Sequence, residues 1–288
     1  MADPRRATGW MLAAPAVGCV VAFILLPVLA MALHSFWLRD PNGIVIQQFT
    51  LTSWREFLDD PFYLEVLGRT GRLAAITTLI CALVGYPVAY TLILMPDRFR
   101  ALMILLLFLP SWISFVVRTM SWLHVLGPGG LVNLLLRRMG VIEEPLPLLY
   151  NDFSIYVGMV HYTLTYMVLN IYIGLQSVDR NLVDAARTLG AKGWHAFLEV
   201  TLPLSLPGLM AGSLLVFILA AGTYITPLIL GGTGNVYYSN LIYEAVIPQL
   251  DWPLGATLAV VFIVVLTAVI GLYARLAGVG TLFRKVSA

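Results

Sequence analysis

The sequence predicts an all-α membrane protein with six transmembrane helices, and three observations lead there. Of its 288 residues 60% are hydrophobic and only 11% are charged, whereas a water-soluble domain of this size carries about a quarter charged residues. Mean hydropathy is +0.89. The apolar stretches are continuous over about twenty residues, the length that crosses a bilayer as a helix. Barrel strands would instead be shorter and alternate in polarity.

The spans are expected at Trp10–Leu33, Arg72–Met95, Ala101–Leu126, Phe153–Gln176, Leu206–Leu230 and Gly255–Ala274. The first follows Arg5 and Arg6, and Ala30 and Ala32 mimic a cleavage site. Its apolar run exceeds the 7–15 residues typical of a signal peptide, so it reads as a retained anchor. Ser35–Gly71 forms a polar connection with room for a short surface helix. Pro96–Arg100 leaves space only for a tight hairpin between spans two and three. Gly127-Pro128-Gly129-Gly130 opens a loop that closes near Pro145 and Tyr150, and Ser239–Ile247 reads as a partly buried, non-spanning helix. With the N-terminus inside, the cytoplasmic segments hold ten Lys and Arg against five outside. The positive-inside rule therefore puts both termini in the cytoplasm. The chain reads as one transmembrane domain over 1–288, with a cytoplasmic loop at about 177–205.

Several function classes are excluded. The net charge of +2, without a basic run, gives no footprint for nucleic acid. Cys19 and Cys81 each lie inside a predicted span, and two cysteines make neither a zinc set nor a disulfide framework. His161 has no ligand partner at metal spacing and reads as a packing residue. Gly190-Ala191-Lys192-Gly193 lacks the spacing and hydroxyl of a phosphate loop, so the chain has no means of hydrolysing ATP by that chemistry. No nucleophile–base–acid set is present, and the reading is a transport protein rather than an enzyme.

The most specific segment is Asp184-Ala185-Ala186-Arg187-Thr188-Leu189-Gly190, followed ten residues after the glycine by Val200-Thr201-Leu202-Pro203. Asp184–Leu189 suits a small amphipathic helix, Gly190 suits the left-handed residue that stops it, and Trp194–Glu199 suits a second helix. A helix–glycine–helix knob between two spans has the shape to plug into a soluble partner. Ala185 and Ala186 keep it slim. Asp184 sits where the helix dipole favours an acid. Leu202 and Pro203 mark where the knob becomes span.

This pattern resembles the Glu-Ala-Ala loop of bacterial ABC-importer permeases, with Asp184 in place of Glu and Val200 in place of Ile. Leu126–Asn133, Leu148–Asn151, Leu202–Gly208, Leu230-Gly231-Gly232 and Asp251-Trp252-Pro253 extend the resemblance to the spermidine/putrescine branch. The resemblance implies a type I importer permease fold in the bacterial inner membrane. It implies that Asp184, Ala185, Ala186, Gly190, Leu202 and Pro203 couple to an ATPase. The implied partners are a second homologous permease, an ABC ATPase dimer that holds the ATP and Mg, and a periplasmic solute-binding protein. This chain itself binds no cofactor. A homodimer is the alternative pairing.

For the substrate path, Tyr162, Tyr166 and Asn170 recur every four residues and share one helix face, and Tyr224 and Glu244 join them as candidates. Arg118, an ionisable residue at membrane depth, is expected to snorkel or to pair with an acid such as Glu244. In related permeases an arginine recurs in a Trp–Ser–Arg–Trp setting, here Trp112, Ser114, Arg118 and Trp122. The polyamine branch often carries acids where this chain has Thr223 and Leu228. Despite that departure, the resemblance makes polyamine the leading substrate. An amino-acid derivative, an opine or an aminophosphonate carried by the same importer class is the alternative. An ATP-independent channel or secondary transporter is the remote reading, since neither an inverted repeat nor a buried carboxylate is evident.

Overall fold

The computed structural model describes residues 15, 17–40, 43–232 and 234–276. Arg5, Arg6, Arg284 and Lys285, which entered the orientation argument, lie outside the described residues, as does the start of the first span. Apart from one two-residue hairpin the described secondary structure is helical. The chain divides into two compact units, one of 1–63 and 241–265, the other of 64–240 and 266–288.

In the first unit, helix α1 (Val17–His34) has no buried residue in its apolar window. It leads into strands β1 (Leu38–Arg39) and β2 (Val45–Ile46), an antiparallel pair with Leu38 opposite Ile46. Helix α2 (Thr52–Asp59) is the expected short helix of the connection. Trp54 Nε1 donates to Ser35 Oγ at 3.3 Å, and Phe36 stacks with both Phe49 and Trp54.

The second unit holds most of the chain's core. Helix α3 (Pro61–Leu94) starts in the first unit and runs for 34 residues, so the second span begins eleven residues before the expected Arg72. Pro61 occupies the first helical position, where its missing N–H costs nothing. At 1.5 Å per residue α3 is roughly 51 Å long, more than a bilayer core, so Glu65 and Arg69 sit on its polar extension. The 94–97 hairpin is as tight as expected. Arg100 closes it by donating to the carbonyls of Leu92, Ile93 and Met95 and pairing with Asp97 at 2.9 Å.

Two expected spans are broken rather than continuous. Ala101–Leu126 becomes α4 (Asp97–Phe108), a 3₁₀ turn (Leu109–Trp112) and α5 (Phe115–Leu126). The two sides of the break are bent by 93°. Pro110 lacks an N–H and crowds the preceding turn, and the chain then passes through extended Ile113 and Ser114. Helix α6 (Leu131–Arg138) follows the Gly-Pro-Gly-Gly loop. Buried Asn133 fixes that loop by binding the Gly127 carbonyl and both backbone polar groups of Leu146.

Helix α7 (Asp152–Gln176) opens with a reciprocal Asn151–Ser154 capping box. Helix α8 is Arg180–Thr188. Helix α9 runs unbroken from Gly193 to Gly222, with a π turn at Phe197–Thr201. The fifth span, expected to reach Leu230, stops there: Thr223 is extended and a short α10 (Ile225–Leu230) restarts the chain. Carbonyls on both sides of this break accept from side chains of the next helix, α11 (Tyr238–Val246). Ser239 Oγ donates to Ala221 and Asn240 Nδ2 to Tyr224. The last helix is α12 (Trp252–Leu276).

Among the described residues four helices are long and apolar enough to cross a membrane, or five if the bent pair counts as one span. Helix α7 is not among them, although it is 25 residues long. Tyr162, Thr163, Thr165, Tyr166 and Asn170 lower its hydropathy, and protein rather than lipid surrounds much of it. Met159, Thr163, Met167, Val168 and Ile171 are completely buried. Helices α7 and α9 cross with almost no side chain between them. A Cβ on Gly208 would lie 2.5 Å from the Asn170 carbonyl oxygen and 2.7 Å from Gly174 Cα. Gly208 and Gly212, four residues apart, form the small-residue stripe that lets membrane helices approach closely.

Candidate functional site

The knob forms as the spacing predicts and is better defined than the spacing alone required. Asp179 caps α8 by accepting from the Asn181 N–H at 2.9 Å. At the other end the Ala191 N–H reaches back to Ala186 and the Gly190 N–H to Arg187, both at 3.0 Å. This is the paired bonding of a Schellman stop, and Gly190 takes the left-handed conformation it needs, φ +94°. Asp184 and Arg187 face one another loosely at 3.8 Å, both exposed. Leu189 and Trp194 present apolar side chains to solvent at 90% and 66% exposure. An apolar tip on a polar, capped helix is a surface made to be covered.

Leu202 and Pro203 do not separate knob from span. The Leu202 N–H bonds the Phe197 carbonyl across the π turn, a wider bonding step placed just before the proline, which has no N–H to give. The knob's second helix is thus the first part of α9, without a hinge. Phe197 locks it sideways, edge-on to Tyr86 at 5.7 Å and Tyr90 at 5.4 Å and stacked on Trp194 at 5.5 Å. Tyr86 in turn hydrogen bonds Ser205 Oγ at 2.7 Å. A cleft of about 1170 Å³ opens between α8, the end of α7 and the 94–97 hairpin, with Arg100, Gln176, Arg180, Asp184 and Arg187 on its walls.

The proposed path residues divide. Tyr162 and Tyr166 meet edge to face at 6.0 Å, and Phe115 lies 4.4 Å from Tyr162. Arg118 sits over both the Phe115 and Tyr162 rings and donates to the Pro110 carbonyl at 2.9 Å. Arg118 therefore secures the bend in the broken span, in place of the expected snorkel or carboxylate pair. Asn170 belongs to the α7–α9 crossing: its amide donates to the Tyr166 carbonyl and its backbone faces Gly208. Tyr224 stands at the break before α10. Glu244 is exposed and belongs to the first unit, apart from the other four in the chain's division. His161 accepts from Trp122 Nε1 at 3.0 Å, a helix-packing bond.

The sequence matches one family profile over residues 2–278, that of the inner membrane component of binding-protein-dependent transport systems. The chain belongs to that family. This permease is 34% identical over 259 residues to the spermidine/putrescine transport system permease protein PotB of Escherichia coli (strain K12), covering 90% of this chain and 94% of that one. Among solved structures it is similar to a bacterial ABC transporter involved in the import of the acidic polysaccharide alginate. The TM-score there is 0.77 at 14% identity, over 95% of this chain and 96% of that one. It is also similar to the alginate transporter in complex with its pentasaccharide-bound periplasmic protein, with TM-score 0.73 at 14% identity, over 95% of both chains. These two share its fold. The permease is thus a multi-pass transport component of the inner membrane and works with a binding protein.

Tyr86, Tyr90 and Phe197, which hold the knob against α3, escaped the sequence reading. The three are aromatic in a chain with 33 aromatics among Phe, Tyr and Trp. Only their convergence from two distant segments marks them, and no spacing rule encodes that.

Proposed function

We propose that this permease is one transmembrane subunit of an ATP-driven importer of polyamines such as spermidine and putrescine. It crosses the membrane six times with both termini in the cytoplasm, α7 supplying the crossing that its polar side chains disguise. Its partners are a second permease of like fold, an ABC ATPase dimer holding ATP and Mg, and a periplasmic solute-binding protein. The observation that carries the coupling role is the Gly190-stopped knob, apolar at its tip and continuous with α9. The likeness to PotB carries the substrate.

A knob fused to its span passes force as a lever does. When ATP binding closes the ATPase pair, the Asp184–Gly190 helices move with it, and α9 shifts against α7 at the Gly208–Gly174 crossing. The pore switches from inward- to outward-facing, the solute leaves its binding protein, and hydrolysis resets the machine. Tyr166 and Tyr224 offer aromatic faces to a polycation on its way, while the Tyr162 ring already carries the Arg118 guanidinium. Asn170 lines the path or only spaces the helices, and Glu244 is the carboxylate candidate for it.

The deciding experiment is ATPase activity of the complex in proteoliposomes with its binding protein, with and without spermidine or putrescine. Stimulation by a polyamine is the expected result. Hydrolysis that ignores polyamines would move the substrate to another small organic solute, as Thr223 and Leu228 at the branch's acidic positions would favour. A complex without ATP hydrolysis in any condition would sink the importer assembly.

A further inference from the structure

In the first unit the C-terminal end of α1, the β1–β2 hairpin and the start of α12 border an open pocket of about 390 Å³ lined by His34, Trp37, Val45, Gln47 and Trp252. Tryptophans at the ends of apolar helices ordinarily serve as interfacial anchors, each on its own. Here two indoles and an imidazole converge on one pocket. The His34 and Trp37 ring centroids are only 4.0 Å apart. His34 Nδ1 lies 2.6 Å from the Ala30 carbonyl oxygen, which can only accept, so Nδ1 carries the proton. In the neutral ring Nε2 is then left as an acceptor. The Gln47 side chain has no hydrogen bond among the described residues, so its amide oxygen is a second acceptor. Arg39, at the end of β1, is engaged by Asp251 at 2.7 Å and by the Gln249 carbonyl at 2.6 Å. Among the described residues no lysine or arginine lines the pocket.

Indole faces attract a cation through their negative π surface, and tryptophan is the strongest such ring. Acceptors beside them suit a group with several N–H donors. We propose that this pocket binds a primary organic ammonium group, one –NH₃⁺ held between Trp37 and Trp252 and hydrogen bonded by Gln47 and His34. The same chemistry is offered by an ethanolamine lipid headgroup at the end of α1 and by a free amine in solution. The pocket stands whatever solute the permease carries.

The test uses full-length permease labelled with 5-fluorotryptophan in nanodiscs of phosphatidylglycerol, which has no ammonium. The Trp37 and Trp252 fluorine resonances are assigned with Trp37→Phe and Trp252→Phe. Ethanolammonium chloride and putrescine are titrated in, and in a separate arm phosphatidylethanolamine is added to the disc. Saturable movement of both resonances by an ammonium, absent with potassium chloride, is the expected result. Trp252→Leu should weaken it about tenfold as read at Trp37, and Gln47→Leu, in an open loop, should weaken it without touching a helix. Response to the lipid that then blocks dissolved amines identifies the headgroup as occupant; response to dissolved amines alone identifies a solute site. No saturable movement with any ammonium, or equal movement with potassium, would overturn the proposal and leave the two tryptophans as simple anchors.

Discussion

Gly190 and Gly208 are both short of a side chain for a reason, and the reasons differ. Gly190 is needed for its backbone: at φ +94° an L-residue is strained by about 1–2 kcal/mol, and proline, locked near −65°, has no access to it. Nothing lies within 4 Å of a Cβ placed there, so the space itself is open. Gly190→Pro should therefore leave membrane insertion intact while abolishing solute-stimulated ATPase activity, and Gly190→Ala should show a milder defect of the same kind. Full stimulation in the proline variant would refute the lever. Gly208 is needed for its space. Gly208→Leu drives carbon into the Asn170 carbonyl and should force α7 and α9 apart, lowering the melting temperature of the detergent-solubilised protein. Gly222→Ala, where a Cβ meets nothing, is the control and should be neutral or slightly stabilising, by up to about 1 kcal/mol. The first glycine was legible in the sequence because a helix stop is local. The second was not, because a close approach belongs to a pair of helices and only one glycine-bearing partner is visible at a time.

The helices repeat this lesson. Apolar runs located α1, α3, α9 and α12, because burial in lipid is a property of one segment. They missed the breaks in α4–α5 and α9–α10, where the chain stays apolar while its hydrogen bonds stop. The first coincides with Pro110, which stands unmarked inside an apolar run; the second, at Thr223, is paid for by Ser239 and Asn240, which no local rule connects to Ala221 and Tyr224. Arg118 follows from this. Its guanidinium adds a charged donor at 2.9 Å to the Pro110 carbonyl, which the Ile113 N–H reaches only at 3.3 Å, so Arg118→Met should destabilise the protein by about 1.5–3 kcal/mol, the range for a hydrogen bond to a charged group. Arg118→Lys should recover part of that loss in thermal melting, keeping the charge but not the planar stack on Phe115 and Tyr162. Equal melting temperatures for all three would show that the bend holds without it. The Phe197 clamp makes a separate prediction. Each aromatic pair contributes about 0.5–1.5 kcal/mol beyond its burial, and removing two edge contacts and a stack in Phe197→Ala should free the knob. Faster hydrogen exchange over 189–196, with ATP hydrolysis running uncoupled from solute, is expected; Phe197→Tyr should behave as the native protein.

At the scale of the whole chain the parity of crossings decides whether the knob and the loop before α7 face the same side. Helix α7 carries the question, for a helix wrapped by protein does not need lipid-grade hydropathy to cross. Its start is anchored in polar contacts: Asp152 lies 3.8 Å from Arg72 and accepts from the Tyr237 phenol at 3.2 Å. Burial, and then the Asp152 carboxylate itself, push that phenol's pKa up, so Tyr237 remains a donor throughout the neutral range. The raised value favours the fold below the phenol's ordinary pKa of about 10 and loses that contribution only in stronger alkali. The other end runs through Gln176 into the exposed, charged α8. Polar anchors at both ends of a helix roughly 37 Å long are what a crossing segment requires. Single cysteines test it in a background with Cys19→Ala and Cys81→Ala. With α7 crossing, Glu143→Cys should react with a membrane-impermeant maleimide in intact spheroplasts and Lys192→Cys only in inverted vesicles. Labelling of both from the same side would remove α7 from the membrane, leave five crossings, and place the two ends of the chain on opposite faces.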